Sequence, residues 1–100
     1  MTNKFFAMLG MAMRAGKVSS GEFIVKKSIK SGRARLVIIA SDASDNTKKS
    51  IINSCDFYKV KNITTSTMEE LGSCIGKAPR AVVAIEDNNF AKAVMEKSIS

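Results

Sequence analysis

A chain of 100 residues with 45% hydrophobic and 25% charged side chains is long enough to bury one core and too apolar to stay disordered. It has no histidine, and Cys55 and Cys74 form no Cys-x-x-Cys pair, so a zinc site and a dithiol redox motif are both excluded. No cofactor is indicated, and two packed, reduced thiols in a cytoplasmic protein are expected.

Charge gives the first pointer to a partner. Sixteen Lys and Arg against nine Asp and Glu leave a net +7. Residues 1–35 hold eight basic side chains (Lys4, Arg14, Lys17, Lys26, Lys27, Lys30, Arg33 and Arg35) and a single acid, Glu22. The rest of the chain is balanced at eight of each sign. Solubility does not demand such segregation, whereas a polyanion-binding face does; a merely solvated basic face is the plainer alternative.

In chain order, Lys4 followed by FFAMLGMAM imitates a secretory leader. Arg14, however, stands where a cleavage site needs small residues, and the run is too short to cross a bilayer. Phe5, Met8, Leu9, Ala12 and Met13 recur at helical spacing, so residues 3–15 are read as a packed helix ended by a left-handed Gly16, with no membrane association. Residues 20–31 read as a second helix ended by Gly32. Ser19-x-x-Glu22 has the pattern of a capping box, and Val18 with Phe23 that of a hydrophobic staple. On the helical wheel Val25 and Ile29 face the core, with Ser28 and Gly21 beside them. Lys26, Lys27 and Lys30 cover the opposite arc with Phe23 among them, and Ile24 sits on the flank. An aromatic in that setting can also stack on a base. Gly21 leaves the first-turn amides open to a close phosphate or base edge, although tight packing against a neighbour explains it equally well.

LVIIA (36–40) and AVVAI (81–85) are continuous apolar runs of the kind buried on both faces of a sheet. Helices are expected from about Ser44 to Cys55, from Thr67 to Cys74 and after Asp87, with a short strand near Val60–Thr64. The last helix presents Phe90, Ala91, Val94, Met95 and Ser98 on one face. The alternation implies one domain spanning residues 1–100, a three-layer α/β/α sandwich around a small, largely parallel or mixed sheet.

Motifs of catalysis are absent. In GMAMRAGKV (10–18) the glycine spacing is one residue too long for a phosphate loop, and Val18 replaces the required hydroxyl; GSCIGK (72–77) is one residue too short. No GxGxxG, GxSxG, HExxH or GxxG occurs. Asp42, Ser44, Asp45, Ser66, Glu69 and Asp87 fall at expected helix starts, with Ser66-x-x-Glu69 as a second capping box. Those acids have structural work, and without histidine a nucleophile–base pair is hard to assemble. A non-enzymatic protein is expected.

The stretch LGMAMRAGKVSSGEFIVKKSIKSGRARLVIIASDASDNTKK, followed by Tyr58, LGSCIGK and RAVVAIED, resembles the YlxQ-like bacterial branch of the kink-turn-binding ribosomal-protein superfamily, over nearly the whole chain. The resemblance implies an α/β/α sandwich that binds structured RNA, usually kink-turns; a ribosomal or messenger RNA partner and a monomeric chain are expected. It also implies an RNA surface built from the start of the second helix and the loop before the last strand. By position, Gly21 and Lys27 match the family's glycine and lysine, and Ile75, Gly76, Lys77, Ala78, Pro79 and Arg80 match its loop. Ile75 and Ala78 then offer apolar contact, Lys77 and Arg80 reach phosphates, and Pro79 stiffens the loop. Lys17, Lys26 and Lys30 complete the basic surface, with Phe23 and Ile24 in it. One departure stands out: kink-turn readers carry Asn or Lys followed by Glu or Gln where this chain has Phe23 and Ile24, which cannot hydrogen-bond a base edge. The competing expectation is a protein–protein adaptor that uses Phe23, Ile24 and Ile75 as an apolar patch.

Overall fold

The computed structural model describes residues 3–98. In chain order the elements are α1 (Asn3–Arg14), β1 (Val18–Ser20), α2 (Glu22–Lys30), β2 (Leu36–Ile39), α3 (Asp45–Tyr58), β3 (Lys61–Thr64), α4 (Met68–Cys74), β4 (Val82–Ile85) and α5 (Asn88–Ser98). The sheet runs β1-β4-β2-β3. Helix α1 packs against both α4 and α5 on one face, and α2 packs with α3 on the other, which gives the expected three layers.

Every residue of β2 and β4 is buried, as continuous apolar strands between two helical layers must be. Strand β3 lies at an edge with Lys61 and Thr64 exposed, and charge there discourages pairing with another sheet. Of the two expected sheet arrangements the mixed one is found. Strands β2 and β3 are parallel, while β4 runs antiparallel to both β1 and β2. The register sets Leu36 beside Ile85 and Lys61 at one end of the sheet, and Ile39 beside Val82 and Thr64 at the other.

Two expected capping boxes are replaced by neighbours. Ser19 lies in β1 opposite Ala84, and its hydroxyl donates to Glu86 Oε2 (3.1 Å). Gly21 instead takes the N-cap of α2, and Glu22 turns to α3, where Oε1 accepts from the Thr47 hydroxyl (2.9 Å). At α4 the box is Thr67 with Glu70, because Ser66 has a left-handed φ of 65° and cannot adopt the extended backbone of an N-cap. Ser44 and Asp87 cap α3 and α5 as expected, through Thr47 N–H and Phe90 N–H. Asp42 caps at a distance, accepting from Met68 N–H (2.8 Å) at the start of α4.

Both thiols are free, Cys55 fully buried and Cys74 half-buried. Burial pushes each up to about 11 from an ordinary 9.0; Asp56 adds to the effect at Cys55, and at Cys74 a backbone hydrogen bond opposes it while Glu70 adds to it. A thiol that ionises later in the folded state holds its proton while the unfolded chain releases it. Stability present below pH 9 is therefore lost as pH rises toward 11. We expect urea midpoints to fall more steeply across that interval in the parent than in a Cys55→Ala/Cys74→Ala variant. Equal slopes would show that other groups govern the alkaline limb.

Candidate nucleic-acid interface

The turn from β1 into α2 is held by β4. Gly21 adopts φ 92°, ψ 146°, a backbone closed to most side chains, and its N–H donates to the Val82 carbonyl (3.0 Å). Its own carbonyl accepts from Val25 N–H (2.9 Å), the first bond of α2. Helices α3, α4 and α5 each receive a side-chain cap, whereas no side chain caps α2. The positive end of its dipole and its first-turn amides thus have no side-chain acceptor capping them, and an anion can accept there, beside the first-turn acid Glu22.

The loop between α4 and β4 meets this helix start. Arg80 Nε donates to Ser20 Oγ (3.2 Å), and Nη1 donates to the carbonyls of Ala78 (3.2 Å) and Pro79 (3.3 Å). The loop is stitched to α4 as well. Gly76, at φ 73°, donates to the Ser73 carbonyl (3.1 Å), and Lys77 N–H donates to the Gly72 carbonyl (2.8 Å), the pair of bonds of a Schellman ending. Arg80 N–H closes the loop on the Met68 carbonyl (3.0 Å). Gly76, Lys77, Ala78 and Pro79 are all exposed.

Ile75 corrects the sequence reading. It is the C-cap of α4, one turn after the buried Leu71, so its side chain stays on the inner face of that helix and is only 5% exposed. It offers no contact to RNA and no third member of an apolar patch. Phe23 and Ile24 do stand free, at 75% and 52% exposure. The expected staple is therefore absent: Val18 is committed to β1 opposite Ile85, and Phe23 points away. Lys27 Nζ lies 5.7 Å from the centre of the Phe23 ring, a cation–π arrangement between residues one helical turn apart. Lys26 Nζ is 3.7 Å from Glu22 Oε2, so its charge is partly answered within the helix.

Two of the expected basic residues lie elsewhere. Lys30 ends α2, about 12 Å along the helix from its start. Lys17 precedes β1, where its carbonyl accepts from Glu86 N–H at the far end of β4 from Val82. What the structure brings together is Gly21, Phe23, Ile24, Lys26 and Lys27 with Gly76–Arg80. The residues that sequence reasoning missed are Ser20, which receives Arg80, and Gly72. Both sit inside stretches whose functional neighbours were already suspect, but their role depends on a packing that no spacing encodes.

The sequence profile of the Ribosomal protein L7Ae/L30e/S12e/Gadd45 family matches residues 3–95. The chain is 46% identical over 88 residues to the RNA-binding protein YlxQ of Bacillus subtilis (strain 168), covering 88% of each. Among solved structures, a protein of unknown function from Bacillus halodurans superposes with a TM-score of 0.94 at 31% identity, covering 99% of this chain and 100% of that one. The Giardia lamblia 15.5kD RNA binding protein shares the fold with a TM-score of 0.79 at 22% identity, over 93% and 80% of the two chains.

Gly72 sets how closely the loop approaches α4. A Cβ there falls within contact distance of the Ala78 carbonyl and 2.8 Å from Pro79 Cα, both backbone atoms that cannot swing aside. Gly72→Ala should therefore cost roughly 1–3 kcal/mol in urea denaturation, the range for overpacking a close contact. A loss below about 0.5 kcal/mol, within the range of an ordinary surface change, would mean that the loop relaxes freely.

Proposed function

The chain belongs to the Ribosomal protein L7Ae/L30e/S12e/Gadd45 family, and from that premise we propose that it binds folded RNA, without catalysis, through the start of α2 and the loop 76–80. The observation that carries the reading is the joining of an uncapped helix start to a basic loop by the Arg80–Ser20 and Gly21–Val82 bonds. Phosphates accept from the first-turn amides and from Lys27, Lys77 and Arg80, which sets register on the RNA. The apolar residues between them supply stacking surface, since every base has a π-face. Bacterial relatives named as RNA-binding proteins support the same reading.

Kink-turn recognition is the finer proposal. The helix start and the loop would hold the phosphates of a kinked duplex, while the side chains of Phe23 and Ile24 provide no polar atom to read the paired purines at a kink. The protein then recognises the shape of the bend more than its bases. The exposed pair also favours a second reading, a protein contact at the same surface, weakened by the burial of Ile75.

Titration of a kink-turn RNA against an unkinked duplex tests both levels. With about four phosphate contacts, the log–log salt slope should lie near −3. Lys27→Ala and Lys77→Ala should each weaken binding and flatten that slope by about 0.7–0.9, without moving the melting temperature. Phe23→Asn with Ile24→Glu should raise preference for the kinked RNA, each restored base contact contributing about 1–3 kcal/mol. Because Phe23 has no staple to lose, the double variant should stay folded. Absence of RNA affinity at low salt would remove the proposal; a folded double variant with no gained preference would remove only its kink-turn part.

A further inference from the structure

A second basic surface lies at the opposite end of the sheet. A half-enclosed cleft of about 720 Å³ opens where α2 and α3 end and β2 and β3 begin, against α5. Lys30, Arg35, Lys59, Lys61 and Lys92 line it against one acid, Glu96. All five cations are exposed, and among the described residues none is in an ion pair. Its floor is apolar, from Ile29, Leu36, Val60 and Met95. Tyr58 stands in its wall, 40% exposed, with the 77% exposed Phe57 ring edge-on at 4.8 Å.

Leu36 and Lys61 mark this end of the sheet, and Val82, bonded to Gly21, marks the other. One β2 length, about 10 Å, separates them. The cleft is therefore not an extension of the proposed kink site.

We infer that this cleft is a second RNA site, which takes a single-stranded segment with its bases against Tyr58 and the apolar floor and its phosphates on the five cations. Unpaired cations around an apolar floor call for a ligand that is both anionic and flat-faced, and paired aromatics beside a basic groove are the means by which single strands are held without sequence preference. Duplex RNA cannot present its base faces, so the two ends of the molecule differ in the RNA form they accept. An acidic peptide would satisfy the cations but leave the exposed rings without a stacking partner.

Tyr58 is the only tyrosine in a chain without tryptophan, so its emission reports the cleft directly. An oligouridylate of about ten nucleotides, titrated into the full chain, should quench that emission to saturation. Lys61→Ala with Lys92→Ala should weaken oligonucleotide binding at least about fivefold and flatten its log–log salt slope by roughly 1.4, two single-strand contacts at about 0.7 each. The same variant should hold its affinity for a blunt-ended folded RNA within about twofold, which separates this site from the one proposed above. A bound oligonucleotide that leaves the emission unchanged, or a double variant that binds it as tightly as the parent, overturns the assignment. So does polyglutamate of matched charge that displaces the oligonucleotide at equal concentration, since the cleft would then be a surface for acidic protein.

Discussion

Both outward-facing ends of this molecule hang on the pairing of β4 with its two neighbours. At its start the Val82 carbonyl holds Gly21, and at its end the Ile85 carbonyl accepts from Arg35 N–H (2.7 Å) while Glu86 N–H reaches back to Lys17. Because β4 is buried on both faces and paired on both edges, those attachment points cannot shift independently. Loops and helix ends otherwise free to drift are fixed relative to one another by four residues of strand. A central strand flanked on both sides is the most cooperative place to anchor a surface that must match a rigid ligand.

The layers, the two buried strands and the α3 and α5 caps were legible in the sequence, because continuous apolar runs and capping side chains act locally. Strand β1 was not. Val18, Ser19 and Ser20 are half-buried and only three residues long, and Ser19 three residues ahead of Glu22 has the look of a cap. What decided between strand and cap was pairing with Ala84 and Val83, more than sixty residues away, which no local pattern contains. Ile75 failed for a related reason: in sequence it begins a loop, but the helix that precedes it has not yet released its inner face. Of the candidate site, the helix start and the exposed loop were visible, and the Ser20–Arg80 bond and the Gly72 contact that join them were not.

Charge shows the same difference between line and space. Along the chain, the whole excess lies in the first 35 residues. In the fold that segment is divided: the side chains of Lys26 and Lys27 reach back to Glu22 and Phe23 in the first turn of α2, Lys30 and Arg35 go to the far cleft, and Arg33 Nε lies 3.8 Å from Glu86. Lys59, Lys61 and Lys92, from the stretch that is neutral overall, complete the far cluster. A balanced segment can thus supply most of a basic surface when its acids face elsewhere, and Asp42, Glu70 and Asp87 are all turned to helix starts.

Why Phe23 is outside at all follows from what fixes the roll of α2. Val25 and Ile29 are buried in the core, and between their arc and β1 lies Ser28, fully buried, whose hydroxyl donates to Glu86 Oε2 (2.5 Å). The same carboxylate oxygen accepts from Ser19, so a single acceptor ties helix, strand and the end of β4. Rolling α2 to hide Phe23 would withdraw Ser28 from Glu86 and leave a polar group buried without a partner, a cost on the order of 1–3 kcal/mol. At about 100° per residue, Phe23 lies some 160° around the helix from Val25, so the constraint that satisfies Ser28 holds the ring in water beside Lys27. Hiding one phenyl ring gains about 1.5–3 kcal/mol, but the roll would also expose Val25 and Ile29, which together outweigh it. The exposed aromatic is thus a consequence of the core, and a surface able to stack is maintained with only the neighbouring Lys27 against its ring.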